Sequence, residues 1–385
     1  MAAIDILSRA ISPSSTLCEG EVTPVKGGAR SDASSPRPLS QITQWFQQSR
    51  SSTKTRSNDS PTRTSSDITP FPFELFRVVM RRPLGYIHSM YGPALCQLGA
   101  GTNGVVSLHH RIADNSQVAI KRLVIPKSAL RSTDRAQRYV RHLLREASLT
   151  RSFDHPNIIA THDIIQETDG VFYTVMEHCP LDLFALVQQS QHLSLAEINC
   201  YFAQIVRGLY YLHVHRRVAH RDLKLDNVCV TPKGAVKIID FGCVTSSNPK
   251  YDPHQRSPAI IASGACGSDT YMAPELFGQG YYDARKVDVW ALAIVYIAMC
   301  TKHFPWDRAT AEDTNFALFA RHPDHILRRM LPQNPEVRPL LRGMLSLNPQ
   351  QRPSIPTIMA TRWFQSIDAC PLSTGASHSH HVVTC

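Results

Sequence analysis

One short stretch, His220-Arg221-Asp222-Leu223-Lys224-Leu225-Asp226-Asn227, carries more reactive side chains in fixed order than a surface turn needs. Asp222 can accept a proton from a hydroxyl group and aim the oxygen it leaves behind. Lys224, two positions on, can neutralise a phosphoryl group as it transfers, and Asn227, five positions on, offers an amide oxygen to a divalent cation. Thirteen residues later comes Asp240-Phe241-Gly242, whose carboxylate can hold a second cation against phosphate oxygens. A single loop aspartate is usually a turn residue. Six polar groups in this order and spacing are not plausibly turns.

A second set lies upstream. Gly99, Gly101 and Gly104 form a G-x-G-x-x-G run followed by Val106. Alone it is a weak signal, shared with dinucleotide sites, where a helix follows the glycines. Here the pattern continues into a second strand instead. Glycines in a hairpin let backbone amides approach phosphate oxygens without a side chain in the way, and Val106 would cover a base from above. Val118-Ala119-Ile120-Lys121 then ends an apolar run in a lysine, seventeen residues after Gly104. An unpaired ammonium there would cost several kcal/mol or lose its proton. Glu146, on an expected helix, can supply the carboxylate. The plain alternative is a lysine and a glutamate that both face water.

Positioning these groups requires a sheet followed by helices. Leu95–Leu98 and Val105–Leu108 flank the glycines as an antiparallel pair, and Gln117–Leu123, Ile158–Ile165 and Val171–Glu177 read as further strands. Asp134–Ser152 has helical spacing. Ala196–His213 is a long periodic helix with Phe202, Ile205, Val206, Leu209 and Leu212 on one face. Short strands are expected at Val228–Val230 and Val236–Ile239, and helices at Lys286–Cys300, Thr314–Ala320, Pro339–Leu345 and Ile355–Ala360. The expected architecture is α+β: a sheet-rich lobe over about 91–177 and a helix-rich lobe over about 180–365, with a ligand cleft between them.

Outside these limits the patterns fade. Residues 1–70 are expected to lack a fold, because thirteen of the twenty residues from Ser51 to Pro70 are Ser, Thr or Pro. Residues 71–90 mix apolar side chains with arginines and read as an extension packed on the first lobe. The polar end, 371–385, carries His378, His380 and His381, which can bind metal weakly but read better as a disordered end. The ten cysteines include no CxxC pair and no zinc spacing, so neither a structural disulfide nor a structural metal is expected. No apolar run approaches the roughly 18–20 residues of a membrane helix, and the first residues lack the order of a signal peptide. The cytosol or nucleus is expected, with peripheral membrane association open. The net charge of +10 is compatible with a nucleic-acid partner, but no basic-aromatic module supports one.

Together the motifs resemble the eukaryotic protein kinase superfamily over roughly residues 91–365. The resemblance implies a bilobal protein-kinase-like fold with a small antiparallel sheet and one main helix in its first lobe. It implies transfer of the γ-phosphoryl group of ATP, with two Mg2+ ions during turnover, to Ser or Thr hydroxyls of proteins, since Lys224 after Asp222 looks like the serine/threonine branch. Asp222, Lys224, Lys121 and Glu146 become the catalytic set. Gly99, Gly101, Gly104, Val106, Ala119, Lys121, Met176, Glu177 and Cys179 become the ATP site, with Met176 as gatekeeper. Asn227 and Asp240 become metal ligands. His220, Arg221, Phe241, Gly242, Glu275, Asp288 and Arg352 become structural, with Glu275 pairing with Arg352 and Asp288 holding loop backbone donors.

The activation segment would run from Asp240 to Glu275 and contains Thr245, Ser246, Ser247, Ser257, Ser263, Ser268 and Thr270. Arg221 is the expected receiver of a phosphate placed by an upstream kinase, with Ser263 as the candidate, because the usual acceptor position falls on Gly264. Ser268 is expected to contact the catalytic loop. Asp182 and Asp226 fall where carboxylates meet basic residues upstream of an acceptor, although Asp182 can equally touch the ATP ribose or solvent. Thr150 stands where an apolar residue is usual. Cys243 and Cys266 are expected as thiols open to oxidation or alkylation. A narrower resemblance, in Met176-Glu177-His178-Cys179-Pro180-Leu181-Asp182-Leu183-Phe184, in Gly267–Glu275 and in His303-Phe304-Pro305-Trp306, is to the fungal halotolerance and nitrogen-permease-reactivator kinases. That group regulates plasma-membrane ion and nutrient transport. The rival readings are a pseudokinase scaffold and a small-molecule or lipid kinase of the same broad fold.

Overall fold

The computed structural model describes residues 79–101, 104–123, 133–168, 171–190, 192–246, 259–278, 280–370 and His380, without the side chains of 101, 133–138 and 142. The expected tail over 1–70, the first part of the extension, Ser247, Ser257, His378 and His381 lie outside the described residues. The described chain divides into two units: the first holds residues up to Phe153 together with Ala160–His178, and the second holds Asp154–Ile159 and the residues from Cys179 onward.

In the first unit, six strands form one sheet in the order β1-β5-β6-β4-β3-β2. They are β1 (Val79–Arg82), β2 (Cys96–Gly101), β3 (Gly104–His110), β4 (Gln117–Leu123), β5 (Thr161–Glu167) and β6 (Phe172–Glu177). Register puts Val106 opposite Lys121 and Ala119 opposite Met176. Residues two apart on a strand share a face, so Val106, Ala119, Lys121 and Met176 line one side of the sheet. The opposite side carries Val118, Ile120, Ile165 and Val175, packed with Ile87 and Tyr91. Those last two come from α1 (Tyr86–Tyr91), whose Ile87 N–H donates to the buried Glu167 carboxylate at 2.8 Å. The sheet is therefore mixed and not wholly antiparallel as expected, because β1 runs parallel to β5. Two of the four β1 residues are arginines, which hid the strand in the sequence. The unit's main helix, α2 (Thr133–Arg151), buries Val140, Leu143, Leu144 and Ala147, the one-face spacing of an amphipathic helix.

In the second unit, helices predominate. They are α3 (Leu183–Gln189), α4 (Leu195–Tyr210), α5 (Ala284–Thr301), α6 (Thr314–Arg321), α7 (Pro323–Met330), α8 (Arg338–Met344), α9 (Ile355–Met359) and α10 (Arg362–Gln365). Their starts are written in capping residues: the Ser194 hydroxyl accepts from Glu197 N–H, Asp283 from Arg285 N–H, and Asp313 from Asn315 and Phe316 N–H. The expected apolar face of α4, Phe202, Ile205, Val206 and Leu209 with Leu212 beyond it, is fully buried. Each such side chain contributes about 1.5–3 kcal/mol. The helical pattern does not run straight to His213. After Tyr210 it widens into a π turn over Tyr211–His215, which re-aims His213. Short strand pairs complete the unit: β7 (Leu181–Asp182), β9 (Val228–Val230) and β10 (Val236–Ile238) in one sheet, β8 (Val218–Ala219) with β11 (Thr245–Ser246), and β12 (Ile261–Ser263) with β13 (Tyr281–Asp283). Asp154–Ile159 joins this unit because the Asn157 amide donates to Gln204 Oε1 and Val236 O, and Ile159 N–H donates to Ile238 O.

Among the described residues no helix is long and apolar enough to cross a membrane.

Candidate active site

The first unit brings Lys121 and Glu146 together. Lys121 Nζ donates to Glu146 Oε1 at 2.9 Å, with side chains 18 % and 12 % exposed. The strand places the lysine and the helix places the glutamate, so the pair also ties α2 to the sheet. Glu146 Oε2 has no hydrogen-bond partner among the described residues. Thr150, one turn further along α2, is buried, and its hydroxyl donates to Ala147 O at 2.9 Å. The polar group at this position is therefore paired within its own helix. At the glycine run, β2 and β3 pair through Gly101 and Gly104. Gly104 has φ +152°, and a Cβ there would lie 2.3 Å from Arg122 O, so backbone meets backbone where only glycine fits. Gly99 faces open space. Glu177 closes β6, its N–H donating to Ala160 O, and Cys179 begins the later segment of the second unit.

The second unit assembles the catalytic loop around Asp288. This residue on α5 is fully buried and accepts from His220 N–H (2.8 Å) and Arg221 N–H (2.7 Å), while His213 Nε2 lies 2.7 Å from its Oδ2. Burial pushes the Asp288 carboxyl up, but the His213 bond, the nearby imidazoles and the Arg221 N–H outweigh it, and the group sits below the ordinary aspartate range. His220 is fixed a second time by Nε2 against Ile239 O (2.9 Å) and by edge packing on the buried Phe241 ring, with centroids 5.1 Å apart. Arg221 and Asp240 both have positive φ, +68° and +57°. Such backbone is costly for residues other than glycine and persists only when the surroundings enforce it. Asp288 enforces the first. At the second, Gly242 N–H donates to Asp240 Oδ1 at 3.2 Å.

Asp222 follows on this fixed backbone. Asn227 Nδ2 donates to its carbonyl (2.8 Å) and to its Oδ2 (3.1 Å), and Ser268 Oγ donates to its Oδ1 (3.3 Å). Lys224 Nζ donates to Ser268 Oγ at 3.1 Å and lies 3.8 Å from Asp222 Oδ2. Burial holds the Asp222 carboxyl above the ordinary range against the pull of Lys224 and His220, and the charge of Asp240 adds to the rise. Asp222, Lys224, Asn227 and Ser268 thus form one hydrogen-bonded cluster, with Asp240 near enough to be felt electrostatically. The cation test is one of donor chemistry. With its amide nitrogen committed to Asp222, Asn227 has its amide oxygen left to offer, and Asp240 is an exposed carboxylate. Both are hard oxygen donors of the kind magnesium takes, so these residues fit the ion.

The segment from Asp240 to Glu275 is anchored at both ends. Glu275 and Arg352 form a bidentate pair at 2.6 and 2.8 Å, and Arg352, itself buried, also donates to Lys286 O and Ser346 O and lies over the Trp290 ring. Gly267, at φ +113°, packs against the loop so closely that a Cβ would lie 2.8 Å from Arg221 O. Thr270 lies in the turn Asp269–Tyr271, and the Tyr271 hydroxyl accepts from Leu225 N–H at 3.3 Å.

One placement differs from the sequence reading, and two residues have contacts it did not name. Cys243 and Cys266, expected as thiols, are joined by a disulfide with Cα atoms 6.2 Å apart. Their separation of 23 residues carries no motif, and only the path of the segment brings them together. The Arg221 guanidinium already donates to Gly264 O (2.9 Å), Ser263 O (3.5 Å) and the Tyr282 hydroxyl (2.6 Å). It therefore contacts the Ser263 backbone, while Ser263 as a residue is exposed. Asp182 caps α3 by accepting from Ala185 N–H at 2.7 Å. Burial holds its carboxyl above the ordinary range against that bond, and Asp226 is close enough to add to the rise. His213 and Tyr282 escaped the sequence reading altogether. His213 signalled itself only as a polar residue in a largely apolar helix, and Tyr282 lies in a polar stretch that gave no signal.

One unit carries a sheet-borne lysine–glutamate pair and the other an aspartate–lysine–asparagine loop, the residue sets of the protein-kinase class. The chain belongs to that family: residues 94–364 match the protein kinase domain model. It is 40% identical over 222 residues to the nitrogen permease reactivator protein of Saccharomyces cerevisiae, covering 58% of this chain and 27% of that protein. It is 35% identical over 313 residues to "Probable serine/threonine-protein kinase RTK1" of the same yeast, covering 76% of this chain and 49% of the relative. The yeast serine/threonine-protein kinase HAL4/SAT4 is 34% identical over 227 residues, covering 58% and 37%. The chain thus spans between about a quarter and a half of the length of these relatives. The expected kinase fold and the narrower resemblance are both found.

Proposed function

We propose that this chain is an ATP-dependent protein kinase acting on Ser and Thr hydroxyls. The observation that carries the reading is the Asp222 carboxylate, held by Asn227 and Ser268 beside the Lys224 ammonium. A substrate hydroxyl would give its proton to Asp222 as its oxygen bonds to the γ-phosphorus and the bond to the departing ADP oxygen breaks. Lys224 offsets charge on the transferring group. Lys121, oriented by Glu146, holds the α- and β-phosphates, and the residues around Gly104 give them backbone donors. Asn227 and Asp240 would hold two Mg2+ ions, which when bound neutralise phosphate oxygens. The raised Asp222 carboxyl suits a group that must take up a proton and release it again.

The substrate preference follows from Asp182 and Asp226. Two neighbouring carboxylates, one of them pushed up by burial, gain from an arginine or lysine side chain placed beside them. We read the preferred substrates as proteins with basic residues upstream of the acceptor. One relative, the nitrogen permease reactivator protein, supports a role in membrane transport by its name, and the setting we propose is cytoplasmic or membrane-peripheral. An upstream kinase acting on Ser263 would add a phosphate next to Arg221. The test is phosphorylation of an arrayed peptide library with labelled ATP, followed by mapping of the modified residue. Label on Ser or Thr downstream of Arg or Lys is expected. Nucleotide binding with no transfer to any peptide would favour a scaffold, and uniform use of neutral peptides would remove the role given to Asp182 and Asp226.

A further inference from the structure

Outside the catalytic loop, three metal-ligating side chains converge in the second unit. Cys200 on α4, Cys370 just past α10, and His380 have their ligand atoms within 4.8 Å of one another. His380 Nε2 lies 3.0 Å from Cys370 Sγ and 3.9 Å from Cys200 Sγ. A tetrahedral zinc with bonds of about 2.3 Å to sulfur and 2.0 Å to nitrogen sets such atoms about 3.6 Å apart. The two observed separations bracket that value.

The surroundings are those of a built site. Cys200 is fully buried, Cys370 is 9% exposed, and the His380 side chain is 6% exposed. The imidazole is seated against the Tyr201 ring, with centroids 5.2 Å apart, and over Gly234, where a Cβ would lie 2.6 Å from the ring. Gly234 therefore leaves room that any side chain would take from His380. Two N–H groups point at the Cys200 sulfur, from the Cys370 backbone and from Gln204 Nε2, each at 3.4 Å. Such donors stabilise a thiolate. On the other edge of the imidazole, Nδ1 lies 3.9 Å from Oε1 of Glu197, a buried carboxylate that also accepts from the Tyr201 hydroxyl at 2.7 Å. A carboxylate behind a ligating histidine is the usual outer partner of a zinc site.

We propose that Cys200, Cys370 and His380 bind one zinc ion, with Glu197 orienting His380 and a water completing the tetrahedron. Two thiol protons are released to solvent as the two Zn–S bonds form, and His380 binds as neutral imidazole. Soft sulfur with imidazole selects zinc over magnesium or calcium. The ion would clasp the residues after α10 onto α4, a structural role separate from phosphoryl transfer, and it revises the expectation of no structural metal.

The experiment uses the full chain with any purification tag removed. Zinc content is measured after gel filtration, and Co2+ is then titrated into chelator-stripped protein while thiolate-to-cobalt charge-transfer absorption is followed. About one zinc per chain, and a cobalt absorption that saturates at about one equivalent, are expected. Cys370→Ser and His380→Ala should each lose most of the metal, whereas Cys96→Ser, at an exposed cysteine, should keep it. The chelator should lower the melting temperature of the native chain and leave that of His380→Ala unchanged. A native chain that retains no zinc and shows no thiolate–cobalt band would overturn the proposal. So would metal held equally by His380→Ala and Cys370→Ser, or a Cys200–Cys370 disulfide in the freshly isolated, metal-free chain.

Discussion

The two units hold their functional groups in opposite ways. In the first, Lys121 depends on one contact, a single bond to Glu146 whose second oxygen has no partner among the described residues. In the second, the catalytic loop is fixed many times over: Asp288 takes three bonds, His220 is held from three directions, and Asp222 is gripped by Asn227 and Ser268. A group held once can be released by moving one helix, whereas a group held by a network moves only if the network breaks. The difference marks the Lys121–Glu146 pair as the natural point of control and the Asp288 cluster as the fixed template.

The sharpest way to break this contrast is to remove one member from each side. Lys121→Met should lower turnover roughly 100- to 1000-fold by unseating phosphates, while costing the fold only about 1–2 kcal/mol, between the values for exposed and fully buried pairs. Asp288→Ala should do the reverse in kind. It leaves His213 and two backbone donors buried without their acceptor, and about 3–5 kcal/mol of stability should be lost along with activity. Denaturant melts read beside steady-state rates separate the two. Equal stability losses in both variants would erase the contrast.

Much of this arrangement was legible in the residues. The spacing from Asp222 through Asn227 to Asp240 survives folding as a cluster because a short loop and a strand pair leave those side chains few alternatives. The strand carrying Lys121 and the helix carrying Glu146 had clear periods, so their meeting followed. His213 was not legible, since a π turn redirects it and nothing in an apolar helix announces one. The Cys243–Cys266 link and the Cys200–Cys370–His380 group depend on chain paths with no local pattern. Val79–Arg82 hid its strand because pairing with β5, and not alternation, makes it one.

Acidification sharpens the contrast further. Because Asp222 is raised by burial, it takes up a proton at a pH above that of an ordinary aspartate, near 3.9. The acid limb of kcat/KM should lie above that value, read from a pH–rate profile with a pH-insensitive peptide. Asp288 is lowered, so its contribution to stability is present above the unfolded value and is lost only as pH falls through its own, lower one. Activity should therefore fail before the fold does. Simultaneous loss would place both residues in one titrating unit.

Smaller effects are expected where the contacts are peripheral. Reduction of Cys243–Cys266 removes a cross-link closing a loop that loop entropy values at about 3.4 kcal/mol at most, and should lower the melting temperature by a few degrees. Thr150→Leu replaces a self-paired hydroxyl beside Glu146 with apolar contact. The added volume should cost about 1–3 kcal/mol of stability, while basal turnover rises as the singly held side gains apolar contact. An unchanged rate would argue that α2 is already locked.

The account rests on Asp222 as the group that receives the hydroxyl proton, and single-turnover phosphorylation by Asp222→Asn measures this most directly. The transfer rate should fall roughly 100- to 10,000-fold, with nucleotide affinity within about twofold of the native chain. Near-native transfer by that variant, with label still on Ser or Thr, would contradict it.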